Sequence, residues 1–275
     1  MPSSPESRIR QLFEEIYNKH AFDRAPEFFA PDYVNHQPGA APGVEGLRTW
    51  ATTMLTLVPD LSCTIEQLVE QNDRVMVYVR WSGTIGGTDQ ELSQQTANLY
   101  RLREGLITEH WSVFDYSTLL KLGMTPPDQT SQVTGEPDRA AGPLQQANMT
   151  LVETVWDDLM HQHLLEKADD YYRQDYIQHN DFAARSGGGL KGMKDFFAGL
   201  FQLAPDLVGD ITQMIAQDDR VGIFCVWHGH EASSGAEVRL HTSDLLRIED
   251  GLIAEHWDVM DYAAVAQFGV SAEEG

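Results

Sequence analysis

The chain is short of cations: 19 Lys and Arg stand against 42 Asp and Glu in 275 residues, a formal charge of −23. That balance argues against a nucleic-acid partner and against an anionic membrane surface, because both would repel the chain. Cysteine is scarce. Cys63 and Cys225 are the whole supply and occupy non-equivalent positions of an internal repeat, so no disulfide framework is expected. No apolar run reaches the length of a membrane span, and the opening MPSSPESRIRQLFEEIYNKH is polar and then amphipathic, unlike a secretory or transit signal. A cytoplasmic location is the expectation. Gly-x-Ser-x-Gly and a Walker lysine pattern are both missing, although Ser186-Gly187-Gly188-Gly189 supplies a glycine-rich loop. Serine-hydrolase and nucleotide-binding readings therefore have no support. Among ten histidines the close pairs are His161-x-His163 and His228-x-His230, and no Cys or carboxylate completes a zinc motif around them. No metal is expected.

What is present is repetition. Thr96–Tyr116, TANLYRLREGLITEHWSVFDY, returns as Thr242–Tyr262, TSDLLRIEDGLIAEHWDVMDY, with twelve of twenty-one positions identical. Asp32-Tyr33-Val34-Asn35-His36 returns as Asp175-Tyr176-Ile177-Gln178-His179, and Val58-Pro59-Asp60-Leu61 as Ala204-Pro205-Asp206-Leu207. The offset grows from 143 to 146, which places a three-residue insertion near Arg185–Gly189. Two units of one fold follow in tandem. The expected limits are 7–124 and 148–270, joined by a linker over 125–147 whose Pro, Gly, Thr and Gln content carries no periodicity. With 42% hydrophobic residues there is material for two cores.

Within the first unit, Ile9, Leu12, Phe13 and Ile16 recur at helical spacing from Ser7 to Tyr17. A short helix at Ala25–Phe29 and a longer one at Val44–Thr56 follow, then strands at Leu61–Leu68, Arg74–Trp81, Gln94–Tyr100 and Leu106–Phe114. The second unit repeats the order. The class is α+β: two cones, each a curved antiparallel sheet wrapped around about three helices.

The repeated hairpin turns at Arg103-Glu104-Gly105 and Glu249-Asp250-Gly251, and its second strand carries Glu-His-Trp and then Asp. Strand parity groups Glu255, Trp257, Val259 and Asp261 on one face and His256, Asp258 and Met260 on the other. Pairing centred on the turn puts Leu245 opposite Glu255, Ser243 opposite Trp257 and His241 opposite Val259, with His241 diagonal to Asp261. The expectation is that this face is concave, which makes His241 and Asp261 an acid/base pair and turns His110 and His256 away from the cone. The halves differ there: Gln95 stands where the second has His241, and Ser112 where it has Asp258. Glutamine transfers no proton at neutral pH, so the second unit is expected to be the more reactive.

Three helices, Tyr-x-x-His before a glycine-rich loop, and Gly-x-Ile-x-Glu-His-Trp-x-x-x-Asp together resemble the SnoaL-like polyketide cyclases of the nuclear transport factor 2-like superfamily. The resemblance implies a helix-lined cone and cofactor-independent lyase or isomerase chemistry on a small apolar carbonyl compound. It also implies a tandem that mimics a dimer within one chain. It assigns general acid/base work to Asp115 and Asp261, with His36, His179, Tyr33 and Tyr176 as candidate donors to a developing enolate. Trp81, Trp227, Trp111, Trp257, Glu109, Glu255 and Gln95 become candidate pocket residues. The other open reading is a non-catalytic pair of ligand-binding cones, in which the two aspartates only cap the strand end.

Overall fold

The computed structural model describes residues 4–37, 39–117, 120, 141–179 and 188–265. The chain divides into two compact units, residues 1–133 and 134–275, each with its own sheet and helices. Residues 125–140 of the expected linker and residues 185–187 of the expected insertion lie outside the described residues. Among the described residues no helix is long and apolar enough to cross a membrane.

The first helix, α1 (Pro5–Leu12), starts where chemistry favours a start: the Ser4 side chain accepts from the Ser7 N–H at 3.1 Å, and Pro5 fills the first turn. Its buried stripe, Ile9 and Leu12, runs on through Phe13 and Ile16 of a π-helical turn, Phe13–Tyr17. A 3₁₀ turn (Phe22–Glu27), β1 (Phe29–Asn35) and α2 (Gly43–Leu57) lead into β2 (Ser62–Gln71), β3 (Arg74–Thr84), β4 (Glu91–Arg103) and β5 (Leu106–Phe114). The second unit repeats the plan with α3 (Pro143–Val155), a π turn (Trp156–His161), a 3₁₀ turn (Leu165–Lys167) and α4 (Ala168–Tyr171). Next come β6 (Tyr172–Gln178), α5 (Gly189–Leu203), β7 (Val208–Gln217), β8 (Arg220–His230), β9 (Glu237–Glu249), β10 (Leu252–Met260) and α6 (Tyr262–Val265). Helix α3 opens inside the stretch expected to be linker, with Pro143 in its first turn.

Each sheet is five-stranded, in the orders β1-β5-β4-β3-β2 and β6-β10-β9-β8-β7. The expected antiparallel sheet is thereby corrected to a mixed one, because β1 pairs with β5 and β6 with β10 in parallel. That addition places Tyr33 and Tyr176 beside the repeated Glu-His-Trp strand. The hairpin turn is a two-residue one with Glu104 and Gly105, and again Asp250 and Gly251, at positive φ, as a type I′ turn requires.

The expected hairpin register is also corrected. Trp257 pairs with Leu245, Asp258 with Asp244 and Val259 with Ser243, two residues from the expectation. One residue comes from the turn, which is centred between Asp250 and Gly251, and one from a bulge between Ile253 and Glu255. The same bulge interrupts β4–β5 between Leu102↔Ile107 and Arg101↔Glu109.

Close packing repeats between the units at a glycine. A Cβ on Gly83 would lie 2.4 Å from Val58 Cγ1, and one on Gly229 would lie 2.8 Å from the Leu207 Cα. Backbone cannot rotate aside as a side chain can. Gly229→Ala is expected to destabilise the fold by about 1–3 kcal/mol, read as a lower urea midpoint; an unchanged midpoint would refute the close approach.

Candidate active site

Alternation along the strands sends one set of side chains toward the helices. In the second unit Ile223, Cys225, Trp227, Leu240 and Leu246 join Met149, Val152 and Trp156 in one core. The inner face of β10 is therefore the one that carries His256, Asp258 and Met260, directly across from Leu246, Asp244 and Thr242. This reverses the expectation that His110 and His256 turn away from the cone. The parity sets were correct, but both faces carry large apolar residues, so hydrophobicity alone did not tell inside from outside.

In the second unit His256 is the centre of a buried polar network. Its Nε2 donates to Asp244 Oδ1 at 2.9 Å and stands 3.9 Å from Asp258 Oδ2. The three side chains are 8, 8 and 9% exposed for His256, Asp244 and Asp258. Tyr176 Oη and Gln178 Nε2 each lie 3.1 Å from His256 Nδ1, which accepts when the ring is neutral. Burial pushes the Tyr176 phenol well above its usual range, so it remains a donor. Thr242 Oγ1 donates to Asp244 Oδ2 at 3.0 Å and accepts from Trp227 Nε1 at 3.0 Å, which fixes the carboxylate plane. Burial pulls the His256 pKa down, but the Asp244 hydrogen bond and the charges of Asp258 and Asp244 outweigh it, and the net displacement is upward.

The first unit builds the same network without acids. His110 Nε2 donates to Asn98 Oδ1 at 3.0 Å, Tyr33 Oη lies 3.3 Å from His110 Nδ1, and Tyr100 stacks on the ring at 4.5 Å. Burial, with a smaller contribution from His36, drives the His110 pKa down to about 3. This imidazole is neutral where its counterpart is held toward the charged form. The cause is two substitutions within the repeat, Asn98 for Asp244 and Ser112 for Asp258.

The His110 network opens on a cavity of about 360 Å³, walled by Tyr17, Trp50, Met54, Trp81 and Phe114 and edged by Asn98, Ser112 and Thr96. That size suits a small ligand.

The other sequence candidates are distributed as follows. Trp81 lines the first cavity and Trp227 lies in the second core. Glu109, Trp111, Glu255 and Trp257 alternate with the histidines and so lie on the outer face. There His36 stacks on Trp111 at 4.4 Å and contacts Glu109 at 3.0 Å, while His179 stacks on Trp257 at 4.3 Å and contacts Glu255 at 2.7 Å. Arg101 and Arg247 complete these ion pairs. Neither His36 nor His179 is brought to the inner network. Gln95 faces outward to Glu66 at 2.6 Å. His241, 5% exposed, pairs with Val226 on the same outward parity. The ladder ends at Met260↔Thr242, so Asp261 follows the last paired residue. Asp261, 3% exposed, accepts from the Ala263 N–H at 3.0 Å, and Asp115 accepts from the Ser117 N–H at 2.9 Å and from the Ser117 hydroxyl. Both carboxylates thus accept hydrogen bonds from the turn that follows the strand.

Asp244, His256 and Asp258 are the one group among the described residues whose ligand atoms, all within 4.8 Å of each other, have metal-ligating spacing. Ligation would require His256 Nε2 to give up the proton it shares with Asp244, and the raised pKa opposes that. Each histidine pair flagged by sequence is split: His161 and His228 both contact Asp210, at 3.4 and 2.9 Å, while His230 contacts Asp206 at 2.8 Å and His163 reaches the Leu207 carbonyl at 2.7 Å.

The family model described as SnoaL-like polyketide cyclase matches residues 7–121 and again residues 150–267. The chain belongs to that family. Its two copies of the SnoaL-like domain coincide with the two five-stranded sheets. Solved structures similar to it include IdmH from Streptomyces antibioticus, 29% identical over 44% of this chain and 100% of its own, with a TM-score of 0.39. TsrD from Streptomyces laurentii is 25% identical over 42% of this chain and 93% of its own, TM-score 0.37. A SnoaL-like polyketide cyclase from Agrobacterium tumefaciens is 19% identical over 44% and 98%, TM-score 0.38. Each spans less than half of this chain. No match was found among curated proteins.

Proposed function

We propose that the second SnoaL-like domain catalyses cofactor-independent proton transfer on a small apolar carbonyl compound, in an aldol-type ring closure, isomerisation or dehydration. The observation that carries this reading is the buried His256–Asp244–Asp258 set on the inner face of β9 and β10. Asp258 takes the proton α to the carbonyl, and the electron pair moves onto the carbonyl oxygen. Imidazolium character at His256, held by Asp244, offsets the enolate charge in a site largely shut off from water. Asp258 then returns the proton to the product, and no redox partner is needed.

The test is deuterium incorporation at the α-carbon of 1-tetralone in D₂O, followed by proton NMR. Promotion by the wild-type chain and its loss in Asp258→Asn support the reading; a wild-type rate equal to that of buffer sinks it. The non-catalytic reading is favoured for the first domain alone, where Asn98 and Ser112 replace both carboxylates.

A further inference from the structure

Asp244, His256 and Asp258 bring two carboxylates and one imidazole together from the paired strands β9 and β10. His256 Nε2 lies 2.9 Å from Asp244 Oδ1 and 3.9 Å from Asp258 Oδ2, and the three ligand atoms all fall within 4.8 Å of one another. An ion with bonds of about 2.0–2.2 Å spaces tetrahedral ligands by roughly 3.4 Å, so small side-chain shifts would close the set around it. The donor types narrow the choice of ion. Mg²⁺ and Ca²⁺ take oxygen ligands and are disfavoured by the imidazole, and Cu⁺ seeks thiolate or thioether sulfur that is not in the set. Zn²⁺ is served by one nitrogen and two carboxylate oxygens.

Charge favours the same occupant. Two ionised carboxylates and an imidazolium leave this largely buried trio with one negative charge in excess, whereas two carboxylates, a neutral ring and a divalent ion are neutral together. Thr242 Oγ1 donates to Asp244 Oδ2 at 3.0 Å, which keeps Oδ1 turned toward the ring. Tyr176 Oη, 3.1 Å from His256 Nδ1, can accept the N–H of the other ring nitrogen, the outer hydrogen bond that orients a metal-bound imidazole. In the first domain Asn98 and Ser112 stand in the places of the two aspartates and offer an ion no charge.

We propose that Zn²⁺, or a divalent ion of its class, binds between Asp244 Oδ1, His256 Nε2 and Asp258 Oδ2 and reversibly shuts off the second domain. The ion takes the Nε2 lone pair, the displaced proton leaves to solvent, and Asp258, now a ligand, can no longer accept a proton from a substrate. Proton and ion compete for one lone pair, so the ion is a removable block and not a resident cofactor. The block rests on the proton-transfer reading of the second domain; the binding does not.

The test uses the full chain labelled with 5-fluorotryptophan, whose Trp227 and Trp81 fluorine signals are assigned by Trp→Phe substitution. Trp227 Nε1 donates to Thr242, which in turn holds Asp244, so ZnCl₂ is expected to shift the Trp227 signal and leave Trp81 unmoved. MgCl₂ at matched ionic strength is expected to shift neither; an equal response to Mg²⁺ would mean counter-ions gathering on an acidic chain and overturns the proposal. Asp244→Asn and Asp258→Asn are each expected to weaken Zn²⁺ by at least about tenfold, since even outer-shell changes weaken metal sites that much. His228→Gln, which removes the surface imidazole next to Trp227 in the chain, is expected to leave the affinity unchanged. Affinity lost with His228, or kept in both asparagine variants, places the ion elsewhere and overturns the site. Zn²⁺ is also expected to stop α-deuteration of 1-tetralone over the range in which Trp227 shifts, and EDTA to restore it. Exchange that persists with Trp227 fully shifted overturns the block. A wild-type chain without exchange removes the block together with the proton-transfer reading, while the Trp227 titration still decides the binding.

Discussion

Asp258→Asn is expected to slow enzyme-promoted α-deuteration of 1-tetralone by about 10²–10⁴-fold, the usual contribution of a positioned general base, while Asp261→Asn changes it by less than about threefold. The contrast follows from where the two carboxylates lie. Asp258 shares the inner face with His256 and stands across from Asp244, whereas Asp261 follows the last ladder pair and accepts from the Ala263 N–H. Asparagine caps about as well as aspartate, so Asp261→Asn keeps that turn intact and isolates any chemical role. In Asp258→Asn the amide keeps the shape but cannot take a proton. The reverse result, activity lost with Asp261 and kept with Asp258, would return the chemistry to the carboxylate that sequence reasoning selected and remove His256 from it.

Duplication made the architecture legible before any coordinates, because Thr96–Tyr116 and Thr242–Tyr262 share a turn, an apolar pattern and an Asp-Tyr end. Strand β5 falls at Leu106–Phe114, as expected. The site was less legible for a physical reason. Identity between copies marks what both need, and both need the His36–Trp111–Glu109 and His179–Trp257–Glu255 clusters of the outer face. A polar network that the two copies build from different residues shows as difference. Ser112 against Asp258 was visible as such a difference, and Asn98 against Asp244, two residues after the paired threonines, carried the same signal unread. Deciding that those two positions meet required the register, and a one-residue bulge at each hairpin displaced it from the value a regular ladder implies.

The same pair of substitutions gives the two domains opposite responses to pH. His110 has its pKa lowered to about 3 by burial, against 6.5 for an unperturbed imidazole. Below 6.5 the unfolded chain therefore binds a proton that the folded first domain refuses, and stability falls continuously until the folded ring titrates near 3. With a limiting slope of about 1.4 kcal/mol per pH unit, reached once the unfolded ring is fully protonated, the first domain loses about 2 kcal/mol between pH 6.5 and 4.5. His256 runs the other way. Its folded pKa is raised, so its contribution is fully present below the unfolded value and is lost as pH rises through the folded one. Relief of the overall negative charge on acidification acts on both domains and cancels in their comparison. Urea unfolding of the chain labelled with 5-fluorotryptophan, its fluorine signals assigned by Trp→Phe substitution and read separately for Trp50 and Trp81 and for Trp227, is expected to show the first midpoint dropping on acidification to pH 4.5 and the second holding or rising. Asn98→Asp, which supplies the carboxylate that Asp244 gives its neighbour, is expected to abolish most of the first domain's acid loss. Parallel movement of both midpoints, or an acid loss unaffected by Asn98→Asp, would show that His110 does not govern the first domain's tolerance of acid.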